Sequence, residues 1–144
     1  MGTGYFTQPS LCADRIVFVC EDDLWEVDSS GGQARRLTNS RSEIKTPYLD
    51  PSGKWIACCA KEEGDPDVYL MSADGGPLTR LTWLNSVTRI VGWTPDGSSI
   101  LFHSIHQAVH HRGSDAWLFK VGVDGGPVQR CLLYTSDAAD EYSR

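Results

Sequence analysis

No apolar run in this sequence approaches the roughly 18 residues that a membrane-spanning helix requires, so no transmembrane segment is expected. The opening MGTGYFTQPS has neither the basic start nor the apolar stretch of a secretory leader. Gly2 stands where a myristoylation signal begins, but Phe6 occupies the position at which that signal needs Ser or Thr. The expected location is therefore cytoplasmic, with no membrane partner. A basic surface is also missing: the formal net charge is −6 and the acids are scattered rather than blocked, which argues against nucleic acid. The five cysteines, Cys12, Cys20, Cys58, Cys59 and Cys131, include no C-x-x-C pair. Adjacent Cys58 and Cys59 would point to opposite faces of a strand. The set reads as buried free thiols of a reducing compartment, not as a disulfide framework or a metal site. Sustained 3.6-residue periodicity is absent too, because Gly or Pro interrupts each stretch before a three-turn helix could form. Disorder is excluded by a content of 40% hydrophobic residues, enough for one core or for several small repeats sharing one.

What the sequence does have is internal repetition. The stretches SSGGQARRLT (29–38), ADGGPLTRLT (73–82) and VDGGPVQR (123–130) share a Gly-Gly pair, and the pairs at Gly31, Gly75 and Gly125 are spaced by 44 and 50 residues. Before each lies a short strand pattern, DLWEVD (23–28), DVYLMS (67–72) and AWLFKV (116–121). Upstream of those come RIVFVC (15–20), KWIACCA (54–60) and SILFHS (99–104), apolar runs suited to buried strands. The turns LDPSGKW and WTPDGSS introduce the second and third of these. Pro51 and Pro95 fix φ to start the turn, and Gly53 and Gly97 supply a positive φ. LCADR fills that slot in the first copy without the Pro-x-Gly, and YFTQPSL, IKTPYLD and VTRIVGW complete four strands per unit. The units run from about 5–38, 44–82 and 87–130, a spacing that matches the blade period of a β-propeller. A sandwich has no reason to place the same turn chemistry in the same slot three times. The expected fold is thus all-β, a partial β-propeller of about three four-stranded antiparallel blades. Known propellers start at about four blades, so the units are expected to be part of a ring.

The phrases RIVFVCEDDLWEVDSSGGQARRLT, PYLDPSGKWIACCAKEEGDPDVYLMSADGGPLTRLTW and VGWTPDGSSILFHS closely resemble the amino-terminal region of tricorn proteases, in order over residues 1–130. They resemble the propeller repeats of TolB-like proteins more loosely. The tricorn resemblance implies a large cytoplasmic serine peptidase that degrades oligopeptides, with a six-bladed propeller first and the catalytic domains near the carboxyl end. In such a protein the propeller acts as a route or filter for peptides. No residue here matches the catalytic motifs, so no catalytic position, cofactor-binding position or metal ligand is assigned. Peptides, through the parent protein, are the expected partners, and homo-oligomerisation of the parent is left open. The alternatives are a TolB-like protein-binding module and the propeller gate of a prolyl-oligopeptidase-like enzyme. A downstream G-x-S-x-G elbow would mark the latter.

The third copy breaks at Cys131, where Leu-Thr is due. CLLYTSDAADE (131–141) resembles the in-frame translation of a sequencing adapter, and 131–144 is set aside as an expected artefact.

Several residues carry chemistry that can be weighed against simpler roles. His103, His106, His110, His111 and Asp115 cluster in HSIHQAVHHRGSD, but the run spans a strand end and a loop, which favours a solvated or peptide-facing loop over zinc. Ser104, His106 and Asp115 form a nominal triad without a nucleophile elbow. The acidic stretches Glu21–Asp23 and Lys61–Asp67 lack the D-x-D-x-D-G spacing of a cation loop and read as solvated turn acids. The Gly-Gly pairs lack the G-x-x-x-x-G-K pattern of a phosphate loop and read as hairpin glycines. Trp25, Trp55, Trp93 and Trp117 read as interblade packing.

Overall fold

The computed structural model describes residues 5–105 and 116–131. Twelve strands lie in this part: β1 Phe6–Cys12, β2 Arg15–Cys20, β3 Asp23–Asp28, β4 Arg35–Arg36, β5 Glu43–Leu49, β6 Trp55–Lys61, β7 Asp67–Ser72, β8 Thr79–Arg80, β9 Thr88–Trp93, β10 Ser99–Ser104, β11 Trp117–Gly122 and β12 Gly125–Arg130. They form three four-stranded antiparallel sheets, β1–β4, β5–β8 and β9–β12, each in chain order. No helix occurs among the described residues. The all-β, bladed architecture is that expected from the repeats.

Local chemistry explains the hairpins. Between β2 and β3, Glu21 and Asp22 have φ of 50° and 67°, the left-handed pair that a two-residue turn needs to match strand twist. At the Pro-x-Gly turns, the Gly53 amide donates to the Asp50 carbonyl and the Gly97 amide to the Thr94 carbonyl, each at 2.9 Å. The Gly-Gly pairs also take positive φ, 103° and 122° at Gly75 and Gly76. In the first two sheets strand pairing resumes only for two residues after them, at β4 and β8, whereas β12 pairs from Gly125 onward.

The first strands of adjacent sheets, β1 with β5 and β5 with β9, lie against each other, while β4 and β8 pack mainly on the third strand of their own sheet. The first strands therefore converge toward one side of the array, as the inner strands of a propeller do. Each carries an irregularity at the same place in its pairing with the second strand, an extra residue opposite Phe18, Cys58 and the Leu101–Phe102 step.

Two hydrophobic cores lie between the sheets. Val17, Val19 and Leu24 of the first sheet meet Ile56, Cys58, Tyr69 and Met71 of the second. Ala57, Cys59 and Val68, on the other face of the second sheet, meet Ile100, Phe102, Phe119 and Val121 of the third. Strand alternation therefore sends neighbouring Cys58 and Cys59 into different cores. Both are free thiols, and burial pushes the Cys58 thiol far up from its usual value.

Candidate functional site

Two polar networks repeat residue for residue at the ends of the blades. Asp23, at the start of β3, is buried and ion-paired with Arg36; it also accepts from the Thr38 hydroxyl at 2.6 Å. The Thr38 oxygen in turn accepts the Leu24 amide at 2.9 Å. In the second blade Asp67, 1% exposed, accepts from Arg80 at 2.7 Å, from the Thr82 hydroxyl at 2.7 Å and from the Leu84 amide at 2.9 Å. The Thr82 oxygen accepts the Val68 amide at 3.0 Å. Each acid thus ties the closing Arg-x-Thr of its own repeat back to the third strand. These two aspartates correct the expectation of solvated turn acids. Glu21, Asp22, Glu62, Glu63 and Asp65 are exposed as expected, but Asp23 and Asp67 begin a strand that turns them inward. The overlooked signal was a shared spacing, with Arg and Thr following the acid at the same two intervals in both repeats. In the third blade the strand register places Trp117 where the acid belongs, and the Arg130 guanidinium lies 3.4 Å from the centre of its ring. A cation–π contact occupies the place of the ion pair.

The other candidates separate. Ser104 is fully buried and its Oγ accepts from the Thr88 hydroxyl at 3.1 Å, so as the nominal nucleophile it faces the interior. His103 is half-buried on β10. His106, His110, His111 and Asp115 lie outside the described residues, as do all residues of the proposed adapter stretch except Cys131. Among the described residues, no three His, Cys, Asp or Glu side chains stand close enough together to hold a metal ion. Of the four tryptophans read as interblade packing, Trp93 packs against the second core and its indole N–H donates to the Tyr48 carbonyl across the blade boundary at 2.9 Å. Trp25 is half-buried, and Trp55 and Trp117 are 46% and 39% exposed, which corrects the reading for those two. Both are the first residue of their strand.

The inner strands are joined from blade to blade by polar contacts. The irregular residues of β1 and β5, Gln8 and Thr46, have φ of 54° and 48°, and each presents its side-chain oxygen to the next blade. The Gln8 Oε1 accepts the Thr46 amide, and the Thr46 Oγ1 accepts the Ile90 amide at 3.2 Å. A further inter-blade bond runs from the Leu49 amide to the Ser10 hydroxyl at 3.1 Å. Above this ladder lies an open cleft of about 300 Å³ lined by Gln8, Pro9, Thr46, Tyr48 and Arg89. Arg89 is exposed, and nearby on β5 Lys45 pairs with Glu43, whose carboxyl the lysine holds below its ordinary value. A second cleft of about 590 Å³ lies between the first two blades around Arg15, Glu26, Asp28 and Arg35. Its charges are matched: Arg15 pairs with Glu26 at 3.5 Å and with Asp74 of the next blade at 3.1 Å, and Arg35 also pairs with Glu26. The inner cleft, with Arg89 facing solvent, is the better built to receive an anionic or peptide group.

Comparison with known proteins follows the same lines. The family profile described as "Tricorn protease N-terminal beta propeller domain" matches residues 3–142. A putative tricorn protease homolog 2 of Streptomyces coelicolor is 37% identical over 132 residues, covering 85% of this chain and 11% of that protein. The crystal structure of the tricorn protease superimposes with a TM-score of 0.74 at 26% identity, over 88% of this chain and 13% of that one. A putative TolB from Agrobacterium tumefaciens superimposes with a TM-score of 0.76 at 20% identity, over 92% of this chain and 47% of that one, a likeness of fold. The chain spans about a tenth of the length of the Streptomyces relative.

Proposed function

From a chain that belongs to the tricorn protease N-terminal β-propeller domain family, we propose a propeller that guides or filters peptide substrates without cutting them. On this reading the parent is a cytoplasmic serine-type peptidase that degrades oligopeptides, and its nucleophile, base and oxyanion donors lie in segments outside this sequence. Five free cysteines accord with a reducing compartment.

The observation that carries the reading is the inner-strand surface. Three converging strands offer polar side chains and the exposed Arg89 beside an open cleft, and the one serine weighed as a nucleophile, Ser104, is buried. An exposed arginine beside hydrogen-bonding groups attracts peptide carboxylates without holding any of them for attack. Such contacts are weak and screened by salt, which suits a passage rather than a tight receptor.

The test is to add labelled oligopeptides to the purified chain, follow binding by fluorescence anisotropy and look for cleavage by mass spectrometry. Weak, salt-sensitive binding that falls several-fold in Arg89→Ala, with intact peptide throughout, is the expected result. Cleavage by the chain itself, or binding indifferent to Arg89, overturns the reading.

A further inference from the structure

The first strand of a propeller blade has a strand neighbour in its own sheet on one side only, so its other edge carries amides that can template an added strand. On β5, alternation along the register directs the Ile44, Thr46 and Leu49 amides away from β6. None of the three is left open. The Ile44 amide donates to the Asp22 carbonyl at 3.1 Å, the Thr46 amide to the Gln8 Oε1 and the Leu49 amide to the Ser10 hydroxyl at 3.1 Å, all on the first blade. Pro47, beside Thr46 in the irregular stretch of β5, has no amide proton to offer. The arrangement starts again on β9, where the Ile90 amide donates to the Thr46 Oγ1 at 3.2 Å. Carbonyls of these strands are engaged as well: Thr88 accepts from the buried Cys59 thiol at 3.3 Å, and Tyr48 from the Trp93 indole at 2.9 Å.

Two of the capping side chains come from strained backbone. Gln8 and Thr46 hold φ of 54° and 48°, a region that disfavours residues other than glycine. The first two blades are already joined by a buried apolar core that includes Val17, Val19, Ile56 and Cys58, so cohesion alone does not account for the strain.

We propose, with the inner-strand passage as the premise, that Gln8, Ser10 and Thr46 determine specificity by closing the inner edges of β5 and β9 to strand addition. A peptide in the passage is then met through its charges and side chains, not through its backbone. Backbone pairing takes extended peptides of almost any sequence and gains affinity from main-chain hydrogen bonds, so a passage lined by open edges would hold peptides instead of passing them. With the edge amides taken, the exposed Arg89 remains to choose by charge.

The test compares two oligopeptides of one extended, Val- and Thr-rich sequence, one unmodified and one N-methylated at alternate residues so that it cannot pair as a strand. Amide exchange at Thr46 and Leu49 is followed by NMR in the purified chain with each peptide at equal concentration, which leaves pairing at any other strand edge out of the comparison. In the wild type both amides should exchange slowly, and alike with either peptide. In the double variant Gln8→Ala with Ser10→Ala they should exchange several-fold faster without peptide, and be slowed again by the unmodified peptide but not by the N-methylated one. Gln8→Glu with Ser10→Thr, which keeps both acceptors, should behave as wild type. If the alanine variant loses its β-sheet circular dichroism, Gln8→Gly with Ser10→Ala replaces it, since glycine accepts the positive φ, and Ser10→Ala alone is read at Leu49. Wild-type amides that already distinguish the two peptides, freed amides that distinguish neither, or an acceptor-keeping variant that behaves like the alanine one overturns the proposal. Peptide binding indifferent to Arg89 overturns the passage reading instead, and the exchange comparison at Thr46 and Leu49 still decides whether the edges are closed.

Discussion

Asp67 shows most sharply what single residues do here. It is 1% exposed, and all its hydrogen bonds close the end of its own blade. Removing a buried partner leaves Arg80 uncompensated, so Asp67→Ala is expected to cost about 3 kcal/mol, read as a lowered urea midpoint at unchanged slope. Glu63→Ala, in the exposed turn of the same acidic stretch, should stay within about 0.5 kcal/mol of wild type. The sequence could not separate these acids, because burial of Asp67 is decided by Arg80 and Thr82 on the far side of a hairpin, not by its neighbours. The turn acids carry a second expectation. Backbone and side-chain hydrogen bonds from Ser98, with the Thr94 hydroxyl, lower the Asp96 carboxyl to about 2. Burial pushes Asp50 up, but hydrogen bonds from Ser52, Trp55 and Lys54 outweigh it and leave it lowered. A carboxyl depressed on folding stabilises the fold above its unfolded value of 3.8, and that stabilisation is lost as pH falls from there to about 2. The stability difference between wild type and Asp96→Asn should therefore shrink across that window in acid titrations followed by circular dichroism. The thiols add a third: Cys58 and Cys59 should resist alkylation in the native chain and react only on unfolding, whereas half-buried Cys12 and Cys131 should react first.

At the scale of elements, the hairpins were the most legible part of the sequence, because their cause is local. Pro51 with Gly53 and Pro95 with Gly97 announce their turns by residue type alone, and the structure places them as read. The Gly-Gly turns follow the same logic. At φ of 122°, Gly76 holds a conformation that a Cβ strains even though nothing lies within 4 Å of it. Gly76→Ala should therefore destabilise the chain by about 1–2 kcal/mol, as measured by thermal melts, against a near-neutral Thr79→Val on the exposed strand just after it. Less legible were the irregularities in β1, β5 and β9. Gln8 and Thr46 adopt positive φ without being glycine, and the compensation is a hydrogen bond to the next blade that no local pattern announces. The exposed Trp55 and Trp117 were misjudged for a related reason: strand membership was readable, but which strand residues reach the inter-sheet contact depends on where each sheet ends.

For the whole molecule, stability comes from burial between blades, and among the described residues only the second blade has a neighbouring sheet on both faces. Its strands β6 and β7 are almost wholly buried, while β1 keeps exposed positions along its length and β11 is buried only at Phe119 and Val121. In a repeat array, protection follows the number of neighbour contacts that must open. This ties the fold to the proposed role, since an inner-strand passage exists only if the blades stand as radial units held by their faces. The most direct measurement is amide hydrogen exchange by mass spectrometry, at a concentration where sedimentation shows the single chain. The account predicts slowest exchange in β6 and β7 and faster exchange in β2–β3 and β10–β11. Uniform protection across all three blades in the single chain, or slowest exchange in an end blade, would contradict it.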